Sequence, residues 1–312
     1  MTVRVYRWDD ASAPVLTGAA AAYTINDVLN KCLVTGYGAK AGAGWSLAFS
    51  TTGKSAFKQG VGSNGMYCLI DSSASGQYPR FRGYETMTDI ATGTNPFPND
   101  TQIAGGGYIA TSATADAVQR PWVVVADEKR FYLYIGFSET TAAGLVAAAF
   151  RMFYFFGDLF TYKTGDAFAT TILCSTTAAL TTNSSAAVGN QNVAQPGHYT
   201  ARSHTQIGTC ITSGKMHDAQ RANGAVVVGG GGGAYPDPIT GGMVLQPILS
   251  TDSVDNITRG YYPGLWSPVH LTPGNPGDTF SGAGAMAGKQ FLLLWVGAAG
   301  SRICLETSDT WS

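Results

Sequence analysis

Short runs of alternating apolar residues, each closed by glycine, asparagine, aspartate or serine, limit what this chain can fold into from Trp45 onward. An apolar side chain at every second position marks a strand with one face buried. Such runs are Ser46–Ser50, Ala56–Gln59, Met66–Asp71, Arg80–Thr86, Tyr108–Thr111, Trp122–Ala126, Phe131–Phe137, Arg151–Phe156 and Ala169–Cys174. They continue as Tyr199–His204, Thr209–Thr212, Ala225–Val228, Met243–Leu249, Val269–Leu271, Gln290–Val296 and Arg302–Thr307. Two hairpins are predicted: Pro121–Phe137, turning at Asp127–Lys129, and Lys289–Thr307, turning at Gly297–Ser301. Glycine supplies the punctuation at 40 of 312 residues, well above the usual share of about 7%.

Before Trp45 the pattern differs. Val3–Trp8 alternates and predicts a short strand. Ile25, Val28, Leu29, Cys32 and Leu33 recur at helical spacing and predict a helix over Asn26–Val34. Thr24 is its expected N-cap, with Asp27 three residues on, and Gly36 its stop. The expected fold is therefore mainly β, sandwich-like and Gly-rich, with one short N-terminal helix. Phe153–Phe156 places aromatic rings on both faces of one strand, which predicts cover on both sides. The expected organisation is a strand-and-helix segment at 1–45, a first β half at 46–175, a polar loop or hinge at 176–195 and a second β half at 196–312. Arg-Gly-Tyr recurs at 82–84 and 259–261, each time following a strand and preceding a hairpin, and FGDLF (156–160) is echoed by TGDAF (164–168). These echoes raise the expectation that the two halves are related. Gly229–Gly233, five glycines in a row, reads as a flexible loop.

Charged residues make up 12% of the chain and the net charge is −1. With no basic run, neither nucleic-acid binding nor membrane insertion is expected. Met1–Asp10 carries charge with no apolar stretch behind it, so no secretory leader is expected. Cys32, Cys68, Cys174, Cys210 and Cys304 form no CxxC pair and are expected to be free, buried thiols. Gly60–Gly65 matches GxGxxG, but an apolar strand follows it where a dinucleotide site needs a helix. Gly53-Lys54-Ser55 resembles the tail of a phosphate loop whose first glycine is replaced by Ala48. His198, His204, His217 and His270 lack ligand spacing, and the acidic pairs Asp9/Asp10 and Glu85/Asp89 stand without a nucleophile elbow. The sequence therefore assigns no catalytic residue, cofactor or metal, and an enzyme is not expected.

A further set of residues carries a family likeness. It runs through Tyr6-Arg7-Trp8-Asp9-Asp10 and Ala13-Pro14-Val15-Leu16, then Cys32-Leu33-Val34, Gly36–Lys40 and Ala43-Gly44-Trp45. Gly83–Met87, Gly93–Pro98, Ala115-Asp116 to Trp122, Arg130–Leu133 and Phe156-Gly157-Asp158 continue it, and Gly197-His198-Tyr199 and Pro263–Trp266 extend it past the middle. In these the chain resembles a family of virion structural proteins of tailed bacteriophages from Pseudomonas-like hosts. The resemblance is denser over the first 170 residues. It implies a part of the assembled particle, made in the bacterial cytoplasm, with copies of itself and other virion proteins as partners. Its place on tail or baseplate, neck or capsid surface stays open. Anchors expected at such contacts are Tyr6 and Trp8, Tyr37 and Trp45, and Leu265 and Trp266, because aromatic side chains are enriched at interfaces. Two other readings stand beside it: a fibre or adhesin module that binds a host receptor or glycan, and a polysaccharide depolymerase.

Overall fold

A computed structural model describes residues 2–145, 151–177, 197–217, 235–255, 257–270, 274–296 and 301–311. Ala225–Val228, Gly229–Gly233, Gly297–Gly300 and nearly all of the 176–195 loop lie outside these residues. The chain is mainly β, with several antiparallel sheets and, among the described residues, a single short α-helix. In order, the elements are β1 (Arg4–Arg7), α1 (Thr24–Asn30), β2 (Ser46–Thr51), β3 (Lys54–Lys58), β4 (Tyr67–Asp71) and β5 (Arg80–Tyr84). The short β6 (Thr86–Met87), β7 (Gly93–Thr94) and β8 (Gly107–Tyr108) follow, then β9 (Trp122–Ala126), β10 (Arg130–Gly136), β11 (Arg151–Asp158), β12 (Phe160–Thr161) and β13 (Thr170–Leu173). The chain continues through β14 (His198–Arg202), β15 (Thr209–His217), β16 (Leu245–Asp252), β17 (Ile257–Pro268), β18 (Thr279–Ser281), β19 (Gln290–Val296) and β20 (Ser301–Glu306).

Strands β2, β3, β4, β5 and β8 form a five-stranded antiparallel sheet. A long sheet runs β1-β9-β10-β11-β13-β14-β15-β16-β17-β20-β19-β18. Within it β13 and β14, the described strands on either side of 176–195 in the chain, pair directly, Thr171 with Thr200 and Leu173 with His198. β12 continues the line of β11 past Leu159 and pairs with β17 through Phe160↔Tyr261 and Thr161↔Gly260. That pairing brings the late strands back to the early ones and removes an open edge from the middle of the molecule.

Aromatic packing places β10 and β11 at the centre. On one face Phe131 and Phe156 meet Phe81 of the small sheet, each at a ring separation of 6.3 Å, and Trp45 lies 5.7 Å from Phe131. On the other face Phe155 meets Tyr262 of β17 at 5.1 Å, and the Tyr132 hydroxyl donates to the Pro263 carbonyl at 2.8 Å. All eight residues of β11 are buried, as two-sided cover of Phe153–Phe156 requires. Each such ring contributes roughly 1.5–3 kcal/mol of burial. All five cysteines are free and buried.

The helix begins two residues earlier than its spacing predicts. Thr24 is its first residue rather than its cap, and the Thr24 hydroxyl donates to the Thr17 carbonyl. Lys31–Thr35 continues it as one π turn, which ends before Gly36. Ile25, Val28, Leu29, Cys32 and Leu33 all lie in the core. Buried Asn26 ties the helix to the small sheet by donating to the Ser55 hydroxyl and the Ile70 carbonyl.

One strand runs against its sequence. β17 contains Pro263 and Gly264, residues that normally bar a chain from the middle of a sheet. Register shifts in its pairing with β16 absorb them. Of the strand expected at Val269–Leu271, Leu271 lies outside the described residues, and Val269, just past the end of β17, donates to the Val244 carbonyl.

Candidate functional site: an aromatic rim beside a polar cleft

The β9–β10 turn is made by Asp127. Its carboxylate accepts from the amides of Lys129 and Arg130, at 2.8 and 2.9 Å, so the predicted hairpin closes where the sequence places it. Above this turn lies a cleft of about 540 Å³. Its walls come from the β3–β4 turn at Gly62 and Asn64, the β9–β10 turn, the segment from Asp158 to Asp166, and Trp311. Two glycines make room for side chains that line it. A Cβ at Gly157, opposite Arg130 in the β10–β11 pair, would sit 2.2 Å from the Arg130 Cβ. A Cβ at Gly264, where φ is 76°, would collide with Trp311.

 That φ of 76°, with a Cβ contact of 2.3 Å to Trp311 Nε1, reserves the position for glycine.

Three carboxylates line the cleft, and each is already engaged. Asp158 accepts from Gln59 Nε2 at 2.9 Å, the Asn64 amide at 2.9 Å and the Thr170 hydroxyl at 2.7 Å. Asp166 accepts from Arg259 Nε at 2.8 Å and from its Nη2 at 2.7 Å, in a buried ion pair. Burial pushes the Asp127 carboxyl above its ordinary pKa, against the pull of Arg130 and the two turn amides. The echoed motifs FGDLF and TGDAF thus place Asp158 and Asp166 on one cleft. The acidic pairs noted in the sequence are also spent. Glu85 grips Arg202 at 2.6 and 2.7 Å. Asp89 accepts from the amides of Ala91 and Thr92, and Asp9 pairs with Arg7. Burial pulls the Asp10 carboxyl upward, but hydrogen bonds from Lys40, Tyr37 and the Arg7 amide hold it below the usual range.

Beside the cleft stands a group of exposed rings. Phe160 is 51% exposed and Tyr162 59%. Phe160 stacks on half-buried Tyr261 at 4.8 Å and 27°, and Tyr162 lies 6.3 Å from the same ring. The rings are fixed from below: the Tyr162 amide donates to the Arg259 carbonyl, and Arg259 also donates to the Arg202 carbonyl. Lys163 donates to the carbonyl of His204, whose ring faces Asp252 at 3.2 Å and Asp255 at 3.5 Å.

The residues expected to anchor subunit contacts are placed elsewhere. Tyr6 is fully buried and donates to the Ala41 carbonyl, and Tyr37 is buried with its hydroxyl on Asp10. Trp45 is buried and donates to the Asp127 carbonyl, and Leu265 lies in the core. These four are corrected from interface anchors to core residues of the chain itself, because their rings and side chains have no face left for a partner. Trp8 and Trp266 are half-buried: Trp8 lies under Arg7, and Trp266 donates to Glu306 at 3.2 Å. The rim residues Phe160, Tyr162 and Tyr261 escape the sequence reading because their runs look like any other buried strand.

The glycine motifs fall where their context placed them. Gly60–Gly65 joins β3 to β4, with no helix after it, and Gly53 turns β2 into β3 while Lys54 pairs with Asp71 at 2.8 Å. His198 begins β14, whereas His204 lies beyond its end, so the two share no site. Among the described residues, no group of three or more His, Cys, Asp or Glu side chains is placed to hold a metal ion. No protein-family model matches the chain, and no curated protein matches it.

Proposed function

We propose that this chain is a structural component of a tailed-bacteriophage virion and acts by packing against neighbouring subunits. The resemblance spread over Tyr6–Asp10, Gly36–Trp45, Gly83–Met87 and Pro263–Trp266 supports the particle as its setting. The observation that carries the packing role is the edge strand β2. Its six residues, Ser46–Thr51, carry no charge, and they bond to β3 on one side. On the outer side they make no backbone hydrogen bond among the described residues. The edge strand β1, by contrast, carries Arg4 and Arg7. A free monomer gains by charging an exposed edge, whereas a subunit that adds its edge to a neighbour gains by leaving it neutral.

The experiment is to charge that edge. Leu47→Lys with Ser50→Lys alters two exposed positions. The variant should keep the thermal midpoint of the parent and fail to enter particles assembled in the host. Incorporation at the parent's copy number would overturn the packing role. Absence of the unaltered chain from purified particles, measured by mass spectrometry, would overturn the setting. The exposed rim favours a second reading, a glycan-binding module, on separate grounds.

A further inference from the structure

We infer that the cleft and its aromatic rim bind a saccharide that carries a carboxylate. The inference rests on the glycan-binding reading and not on the packing of particles.

The cleft supplies unequal halves of an ionic site. Its carboxylates are satisfied by hydrogen bonds or by Arg259, as described above. Its cations are not matched in the same way. Arg130 lines the cleft and is 7% exposed. Its side chain makes no hydrogen bond among the described residues, and its Nε is buried without a partner. Asp127 stands 3.6 Å from that Nε, beyond hydrogen-bond reach, and the Trp311 ring is 5.9 Å from the guanidinium carbon. Guanidinium carries five N–H donors in a planar fork, and a carboxylate meets two of them at once. Leaving such donors buried and unpaired costs on the order of 1–3 kcal/mol. Lys129 and Lys163 line the same cleft and add positive charge at its mouth.

The rim decides the rest of the ligand. Phe160 and Tyr162 stand exposed around half-buried Tyr261 and form an open aromatic surface beside the cleft rather than a deep apolar hole. A pyranose presents a face of C–H groups to such rings and a rim of hydroxyls to polar neighbours, here Asn64, Thr161 and Thr164. An apolar peptide side chain would want an enclosed pocket. A sugar ring stacked on the rim with its carboxylate directed at Arg130 uses both parts of the site.

The test is calorimetric titration of the full chain with tetragalacturonate, with maltotetraose as the neutral control and a tetraglutamate peptide as the non-sugar acid. Tetragalacturonate should bind at least about tenfold more tightly than either control, and added salt should weaken it. Phe160→Ala and Tyr162→Ala, both at exposed positions, should each weaken it about tenfold with no change in thermal midpoint. Lys129→Ala should weaken it less and flatten the salt dependence. Arg130→Lys keeps the charge and loses the fork, and should weaken binding of the acid alone. If that variant does not fold, the rim variants and the two controls still decide. Equal binding of maltotetraose, lost in Phe160→Ala, would overturn the carboxylate while leaving a glycan-binding module standing. Equal binding of tetraglutamate would overturn the sugar. No binding of either saccharide would overturn both the inference and the reading beneath it.

Discussion

Two groups of aromatic residues lie within ten residues of each other in the chain and behave in opposite ways. Phe153, Tyr154, Phe155 and Phe156 on β11 are buried on both faces, whereas Phe160 and Tyr162, just beyond, stand in solvent. The same residue types serve as core in one place and as surface in the other. Position in the layers separates them. β11 lies between the small sheet, through Phe156 and Phe81, and the returning strand β17, through Phe155 and Tyr262, while β12 has β17 beside it. The centre is held by ring contacts on all sides. The rim is held by one buried ion pair beneath it, Arg259 with Asp166.

Substitution should break this contrast in graded steps. Phe156 meets Trp45, Phe81, Phe97 and Phe131, so Phe156→Ala should cost about 3–5 kcal/mol in a urea melt. A loss under about 1 kcal/mol would mean that the centre is less tightly packed than its burial indicates. Arg259→Met leaves Asp166 buried without its partner and should cost about 3 kcal/mol. It should also loosen the Phe160–Tyr261 stack, read as faster proteolysis between residues 159 and 169.

A smaller effect comes from β14, which joins the two sides of the long sheet. His198 has a buried Nδ1 with no hydrogen-bond partner among the described residues, and burial pushes its pKa down to about 4. The unfolded chain therefore binds the proton first as pH falls from about 6.5. Stability from the neutral ring is complete above that pH and is lost progressively as pH drops toward 4. His198→Gln should flatten this slope, and an unchanged slope would assign it to other groups. The smallest change in stability belongs to the rim. Phe160→Ala should shift the melt by less than about 0.5 kcal/mol, and a loss as large as that of Phe156→Ala would erase the contrast.

Much of the fold was legible in local pattern. The alternation of Trp122–Ala126 and Phe131–Phe137, with Asp127 between, predicted a hairpin that forms at those positions within one residue. The spacing of Ile25, Val28, Leu29, Cys32 and Leu33 predicted a helix whose buried face they make. Strand β17 was not legible, because Pro263 and Gly264 argue locally against a strand and its partners β16 and β20 accommodate them. The anchors went astray for a related reason. Tyr6, Tyr37 and Trp45 look equally suited to a core or an interface, and composition has no term for what lies opposite a ring.

Periodicity and turn chemistry are properties of neighbouring residues, so the sequence by itself determined the class of fold, the β11 strand covered on both faces, the position of the first hairpin and the free state of the thiols. The cleft is built from segments centred near residues 63, 129, 162 and 311, which no local pattern connects. Only the tertiary structure decided that Asp158 and Asp166 would be satisfied while Arg130 was left with donors to spare. Whether a charge is matched depends on distances across strands far apart in the chain, and those distances exist only after the long sheet has turned back upon itself.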